Sequence, residues 1–70
     1  METAERFGRN LTLLRREAGF TQDRLSAEVY MGRTALSLLE RGHRLPRLDH
    51  MVLLARVIDV QVRDLLYGIR

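Results

Sequence analysis

Two short amphipathic segments lie close together in the middle of this chain, and they limit the folds that it can adopt. The stretch GFTQDRLSAEVYMGRTALSLLERG begins at Gly19 and ends at Gly42. Apolar residues recur in it at three- and four-residue intervals, as on one face of an α-helix, and glycine closes it at both ends. A chain of 70 residues has room for one domain at most. The stretch therefore predicts a small domain of short helices with tight connections.

Helical spacing continues on both sides of this stretch. It covers five segments, at about residues 5–18, 22–29, 33–41, 48–58 and 62–67. Gly19 and Gly42 favour helix ends, because glycine readily adopts the left-handed conformation that follows many helices. Thr21 is a suitable N-cap for the second segment, and no segment alternates strictly as a half-buried strand does. We therefore expect an all-α fold, a compact bundle of about five short helices in a single domain over residues 1–70.

The charge of the chain leaves two interpretations open. All 12 basic residues are arginine, and the formal net charge is +3. Arginine binds phosphates and guanine edges through two parallel hydrogen bonds, which favours a nucleic-acid partner. A GC-rich genome also favours arginine codons, so the arginine content alone does not decide between a functional and a neutral explanation. The positions of the arginines along the chain say more about a nucleic-acid partner than their number does.

The chain lacks the features of secreted and membrane proteins. It contains no cysteine, which excludes disulfides and suits a reducing cytosol. No apolar run approaches the roughly 18 residues of a membrane span, and residues 1–9 lack the apolar stretch of a signal peptide. We therefore expect a cytoplasmic protein with no membrane partner.

The order of the segments and motifs resembles the Cro-type phage-repressor helix-turn-helix family, also called the XRE family. The resemblance covers nearly the whole chain and rests on LRREAGFTQ at residues 14–22, ERG at residues 40–42, Pro46, and VQVRDLL at residues 60–66. It implies a lambda-repressor-like fold with a central helix-turn-helix at about residues 21–42. It also implies that the helix at about residues 33–41 enters the major groove of double-stranded DNA, in a protein associated with a bacterial or phage nucleoid.

The resemblance assigns roles to individual residues. The base-reading positions are held by Arg33, Thr34 and Leu38, and Ser37 lies between them on the same helical face, within reach of a base or a phosphate. The phosphate-binding positions are held by Gln22, Arg41 and Arg44. Arg15 and Glu40 stand where the family has a partly buried ion pair that fixes the angle of the third helix. Without the resemblance, an ordinary solvated surface explains the same outward face equally well.

Four positions depart from the family pattern. Tyr30 stands where glycine usually follows the second helix, and Gly32 comes two residues later. Either Tyr30 adopts a strained conformation, or the turn has moved by one residue. Leu38 replaces a common glutamine or arginine, and we expect it to rest on a thymine methyl group. Gly32 stands where serine or threonine often caps the third helix, and Arg47 stands where a capping serine usually precedes the fourth helix.

The last two segments carry more apolar residues than one small core needs, which predicts a homodimer interface. The residues of this predicted interface are Val52, Leu53, Val57, Val60, Leu66, Tyr67 and Ile69.

Two classes of function remain at this point. The first is a sequence-specific transcriptional regulator, a homodimeric repressor or restriction-modification controller that binds a palindromic operator. The second is a protein-interaction module on the same fold, similar to an antitoxin, in which Leu38 and Leu45 contact a protein. We expect no enzymatic activity, because the sequence has no nucleophile elbow, phosphate loop or metal signature. We also expect no cofactor, metal or small-molecule effector, since His43 and His50 have no cysteine or clustered carboxylates near them.

Overall fold

Five α-helices follow one another in the part of the chain that the structure, a computed structural model, describes, residues 2–70. They are α1 (Glu2–Glu17), α2 (Gln22–Glu28), α3 (Arg33–Glu40), α4 (Leu48–Val57) and α5 (Val62–Leu65). The predicted all-α bundle of short helices is confirmed. Within the described range, no helix has the length and apolar character needed to cross a bilayer.

The first helix begins earlier than the apolar periodicity predicted. It starts at Glu2 rather than near residue 5, and Ala4 in its first turn is fully buried. Alanine carries a weak periodic signal because of its size, although it is the best helix former. Glu2 and Glu5 also favour a helix start at this point, since acidic residues interact well with the N-terminal end of the helix dipole.

The five helices share one hydrophobic core. Its largest fully buried side chains are Phe7, Leu11, Leu25, Val29, Leu36, Leu54 and Leu65. Every helix contributes to this set, with Val29 at the C-cap of α2. Burying one such side chain is worth about 1.5–3 kcal/mol, so the core holds the short helices together although each would be unstable alone.

The turn after α2 resolves the question that Tyr30 raised in the sequence. The Met31 N–H donates to the Ser26 carbonyl at 2.9 Å, and the Tyr30 N–H donates to the Ala27 carbonyl at 3.3 Å. These two bonds form the ordinary helix ending in which a left-handed residue follows the cap. Tyr30 has φ 54°, so it adopts the left-handed conformation and the turn keeps its position. Tyr30 as a residue is 89 % exposed, so its ring gains little packing there.

Helices α1 and α3 meet backbone to backbone at Gly8. A Cβ atom at this position would lie 2.6 Å from the Leu39 carbonyl oxygen and closer still to the Glu40 carbonyl oxygen. Only glycine fits such an approach. Gly8 therefore fixes where the C-terminal half of α3 sits on α1.

The apolar residues of the predicted dimer interface divide between the core and the surface. Those that are half-buried and pack against the core are Leu53, Val57, Val60 and Ile69. Those that are exposed are Val52, Leu66 and Tyr67. The sequence pattern did not single out two further exposed leucines, Leu13 on α1 and Leu48 at the start of α4.

Candidate nucleic-acid interface

The third helix has an apolar side that points into the core and a polar side that points away from it. Leu36 and Leu39 are buried, and α3 packs on both α1 and α2 through this side. The helix begins directly after Gly32, whose extended backbone provides the N-cap without a side-chain hydrogen bond. Packing on α1 and α2, rather than capping, therefore determines the position of α3.

The opposite side of α3 forms a continuous surface, which we call the outer face of α3. It consists of Arg33, Thr34, Ser37, Leu38 and Arg41, which together line a shallow depression of about 260 Å³. Arg33, Thr34 and Arg41 are exposed, whereas Ser37 and Leu38 are half-buried. Leu38 does not belong to the hydrophobic core of the described residues. The structure therefore brings the four predicted base-reading residues together with one predicted phosphate-binding residue.

Arg44 lies apart from the outer face of α3. It is exposed in the connection between α3 and α4, and it lines a second, more apolar depression of about 210 Å³. This second depression also includes Met31, Ala35 and Pro46. Arg44 thus flanks α3 beyond its C-terminal end.

A buried ion pair joins α1 to the C-terminal end of α3. The Arg15 Nε donates to Glu40 Oε2 at 2.7 Å, and the Arg15 Nη2 donates to Glu40 Oε1 at 3.1 Å. The side chains are only 9 % and 4 % exposed. Arg15 Nη1 donates further to the Phe20 carbonyl oxygen at 2.8 Å, so three nitrogens of the guanidinium have partners. Burial of two charges costs free energy, and this cost is offset when two parallel hydrogen bonds join the charges and the remaining donors also have partners.

Gln22 continues this network from the buried pair to the outer face of α3. Its Nε2 donates to Glu40 Oε1 at 2.8 Å, and its Oε1 accepts a hydrogen bond from Arg33 Nε at 3.1 Å. The amide keeps one N–H free for another acceptor, since it has two such donors. Gln22 therefore serves a structural purpose in addition to the phosphate contact that the sequence resemblance implies.

Asp23 is a residue of this network that the sequence did not single out. Its Oδ1 accepts a hydrogen bond from Arg33 Nη1 at 2.8 Å, and both side chains remain largely exposed. Residues 23 and 33 belong to different helices, so no periodicity relates them. The sequence shows only that α2 begins with an acidic residue and α3 with a basic one. The angle between the two helices is needed to show that these residues form a pair.

The positive charge near α3 is only partly compensated. Arg33 is paired with Asp23, whereas neither Arg41 nor Arg44 forms a salt bridge with a carboxylate of residues 2–70. Two uncompensated arginines therefore lie at and beyond the C-terminal end of α3, where they favour an anionic partner.

Two short helices joined by a tight turn, with the second presenting a polar and basic face, define a helix-turn-helix domain. The model of the helix-turn-helix family matches residues 11–65. The chain therefore belongs to the XRE-type helix-turn-helix family of DNA-binding transcription regulators, as the motifs in its sequence implied.

Several known proteins are similar to this chain. Its sequence is 31 % identical over 62 residues to the HTH-type transcriptional activator BcrR of Enterococcus faecalis, and the match covers 89 % of this chain and 30 % of that relative. The chain thus spans less than a third of the length of this curated relative.

Two solved structures share the fold over nearly their whole length. The restriction-modification controller protein C.AhdI from Aeromonas hydrophila is 29 % identical with a TM-score of 0.87, covering 93 % of this chain and 98 % of that one. SinR, a master regulator for biofilm formation solved in complex with DNA, is 26 % identical with a TM-score of 0.80, covering 86 % and 97 %.

Proposed function

We propose that this chain is a sequence-specific transcriptional regulator that reads double-stranded DNA with α3 in the major groove. The observation that carries this proposal is the outer face of α3, where polar, basic and half-exposed apolar side chains line one surface on a helix anchored from behind. The major groove admits one α-helix, and a helix-turn-helix docks its second helix there. The SinR structure was solved with DNA, which supports DNA as the partner of this fold.

The side chains of the outer face have chemistry suited to different base edges. The exposed guanidinium of Arg33 can donate two hydrogen bonds to guanine O6 and N7, the commonest specific contact. Thr34 and Ser37 supply hydroxyl groups that donate or accept. Leu38 is half-buried yet outside the core, so its free methyl groups suit a thymine methyl.

The flanking polar residues suit the phosphate backbone. Arg41 and Arg44 carry uncompensated charge near the C-terminal end of α3, and Gln22 keeps one amide N–H free at the start of α2. Contacts from these residues would set the position of α3 without carrying sequence information. The buried pair of Arg15 and Glu40 holds α3 at its angle and makes no DNA contact in this proposal.

We also propose that the regulator acts as a homodimer on a palindromic operator, as a repressor or a restriction-modification controller. The exposed apolar residues Val52, Leu66 and Tyr67 support a contact between two copies. Likeness to a restriction-modification controller over nearly the whole of both chains supports that biological setting. Such a regulator works in the cytoplasm, on the DNA of the nucleoid.

Selection of bound sites from random duplex DNA tests the proposal directly. The selected sites should be palindromic, with half-sites about 10 base pairs apart centre to centre or a multiple of that distance. Affinity for a selected site should fall steeply as salt is raised, because phosphate contacts release counterions. Recovery of no preferred sequence would contradict the proposal.

Two kinds of variant then separate phosphate contacts from base reading. Arg44→Ala should weaken specific and random DNA alike and lower the slope of log affinity against log salt by about one. Arg9→Ala removes an exposed arginine from the middle of α1 and serves as the matched control, with an unchanged slope. Thr34→Ala should instead reduce discrimination by about 1–3 kcal/mol at one base pair per half-site and leave random binding nearly unchanged.

Leu38 permits a sharper test of base contact. Replacing the contacted thymine with uracil removes only the methyl group, so it should weaken binding of the wild type and leave Leu38→Ala indifferent. The interaction-module hypothesis predicts another result. In that case substitutions at Leu38 and Leu45 abolish binding to a protein and leave site preference as it was.

A further inference from the structure

We propose that Asp23 is a specificity-determining residue that acts through Arg33. By holding the Arg33 guanidinium over the start of α3, Asp23 directs it toward a guanine and away from the phosphates. This inference rests on the proposed reading of DNA by the outer face of α3, and it adds a residue outside α3 to the determinants of the operator sequence.

The geometry leaves Arg33 held but still able to bind a base. Its Nη1 donates to Asp23 Oδ1 at 2.8 Å, and its Nε donates to Gln22 Oε1 at 3.1 Å. An arginine has five N–H donors, so both donors on Nη2 and one on Nη1 stay free. These two nitrogens form the end of the guanidinium fork, which can donate to O6 and N7 of guanine together.

One of the two acceptors, Gln22, is itself fixed through its side chain to the buried part of the domain. Gln22 is bonded to Glu40, whose side chain is 4 % exposed and paired with Arg15. Asp23 lies in the first turn of α2, two residues after the Thr21 cap; the helix positions its backbone, and its 75 % exposed side chain is bonded to Arg33. Arg33 is therefore held on one side by Gln22, which is bonded to the buried Glu40, and on the other side by the exposed carboxylate of Asp23.

Asp23 also changes what a free arginine would do near DNA. A flexible, uncompensated arginine at the edge of the groove gains most from the nearest phosphate, whatever the sequence. The carboxylate of Asp23 offsets the charge of Arg33 and repels phosphates, so an Arg33 contact becomes favourable only where a guanine edge is present. An exposed pair of this kind adds little to stability, so its effect belongs to discrimination.

Asp23→Ala tests the inference against a matched control, Glu28→Ala. Both residues are acidic, lie on α2 and pair with an arginine on the surface, Glu28 with Arg24 at 3.0 Å. Each variant therefore removes one negative charge from the same helix. Affinities are measured at fixed salt for the selected operator, for random DNA, and for operators substituted at each base pair of the half-site.

We expect Asp23→Ala to bind random DNA more tightly and to lose about tenfold in discrimination at a single G·C pair per half-site. Glu28→Ala should leave discrimination at every position unchanged. In an Arg33→Ala background, Asp23→Ala should have no further effect on discrimination, because the residue through which it acts is absent.

Different results overturn different statements. If Arg33→Ala abolishes preference for the G·C pair while Asp23→Ala retains it, the role of Asp23 is wrong and the proposed function stands. Equal effects of Asp23→Ala and Glu28→Ala would reduce the role of Asp23 to general charge and overturn the inference. A wild type that binds every duplex equally would overturn the proposed function together with this inference.

Discussion

Replacing Arg15 with alanine should be among the most damaging single changes in this domain. The substitution removes both hydrogen bonds that Arg15 gives to the Glu40 carboxylate. Glu40 would keep the bond from Gln22 Nε2 at 2.8 Å, yet its side chain is 4 % exposed. A carboxylate that is buried and has lost its counterion costs far more than the pair itself contributes.

The size of the effect follows from this burial. Breaking a buried pair by removing one partner costs about 3–5 kcal/mol. A domain of 70 residues has a total stability of about 4–10 kcal/mol, at 0.05–0.15 kcal/mol per residue. Arg15→Ala should therefore remove a third or more of the free energy of unfolding. Glu40→Ala should cost about 3 kcal/mol as well, because Arg15 keeps only the Phe20 carbonyl as a partner.

Urea unfolding followed by far-UV circular dichroism measures these changes. A small domain has a urea slope of about 1 kcal/mol per molar, so the midpoint should fall by roughly 3 M in either variant. The double variant should lose less than the sum of the two, with a coupling of about 2 kcal/mol. The exposed pair of Arg24 and Glu28 on α2 is the control, for which each alanine substitution should cost under about 1 kcal/mol.

Additive losses of a few tenths of a kcal/mol at Arg15 and Glu40 would refute this reasoning. Such a result would mean that water reaches the pair freely and that packing alone holds α3 against α1.

Three further perturbations follow from the fold. Tyr30→Gly should raise the free energy of unfolding by about 1 kcal/mol, because glycine tolerates the left-handed conformation and the exposed ring gains little packing; an unchanged urea midpoint would contradict this. Gly8→Ala should lower the free energy of unfolding by about 2–3 kcal/mol, because the alanine Cβ would press on carbonyl oxygens of α3. A neutral effect on the urea midpoint would show that α1 and α3 can separate at no cost. Sedimentation at micromolar concentration should give a dimer for the wild type and a shift toward monomer for Leu66→Asp, whereas a monomeric wild type would remove the dimer proposal.

The features that the sequence predicted well are local ones. Gly19 and Gly42 marked helix ends because glycine adopts the left-handed conformation without steric cost. Leu36 and Leu39 identified the buried side of α3 because helical spacing places Thr34 and Ser37 on the opposite side. Spacing therefore identified most of the outer face of α3, whereas Arg33 was assigned to it through the family resemblance.

The features that the sequence left open depend on contacts between helices. Tyr30 allowed two turn geometries, and the hydrogen bonds to Ser26 and Ala27 decided between them. The pairing of Asp23 with Arg33 depends on the angle between α2 and α3, which no spacing along the chain encodes. For the same reason, the sequence did not separate Val57, which packs on the core, from the exposed Tyr67.

The backbone contact at Gly8 separates the residues that this domain needs in order to fold from those that we propose to read DNA. The groups that meet Gly8 are carbonyl oxygens, which every residue of α3 supplies equally. The residues of the outer face contribute nothing to that contact, and Leu36 and Leu39 supply the packing behind them. The outward residues of α3 can therefore be exchanged on an unchanged scaffold, provided that Gly8 and the buried pair of Arg15 and Glu40 are kept. Under the proposed function, substitutions on the outer face of α3 would change the preferred DNA sequence while the contacts that hold the helix in place stay the same.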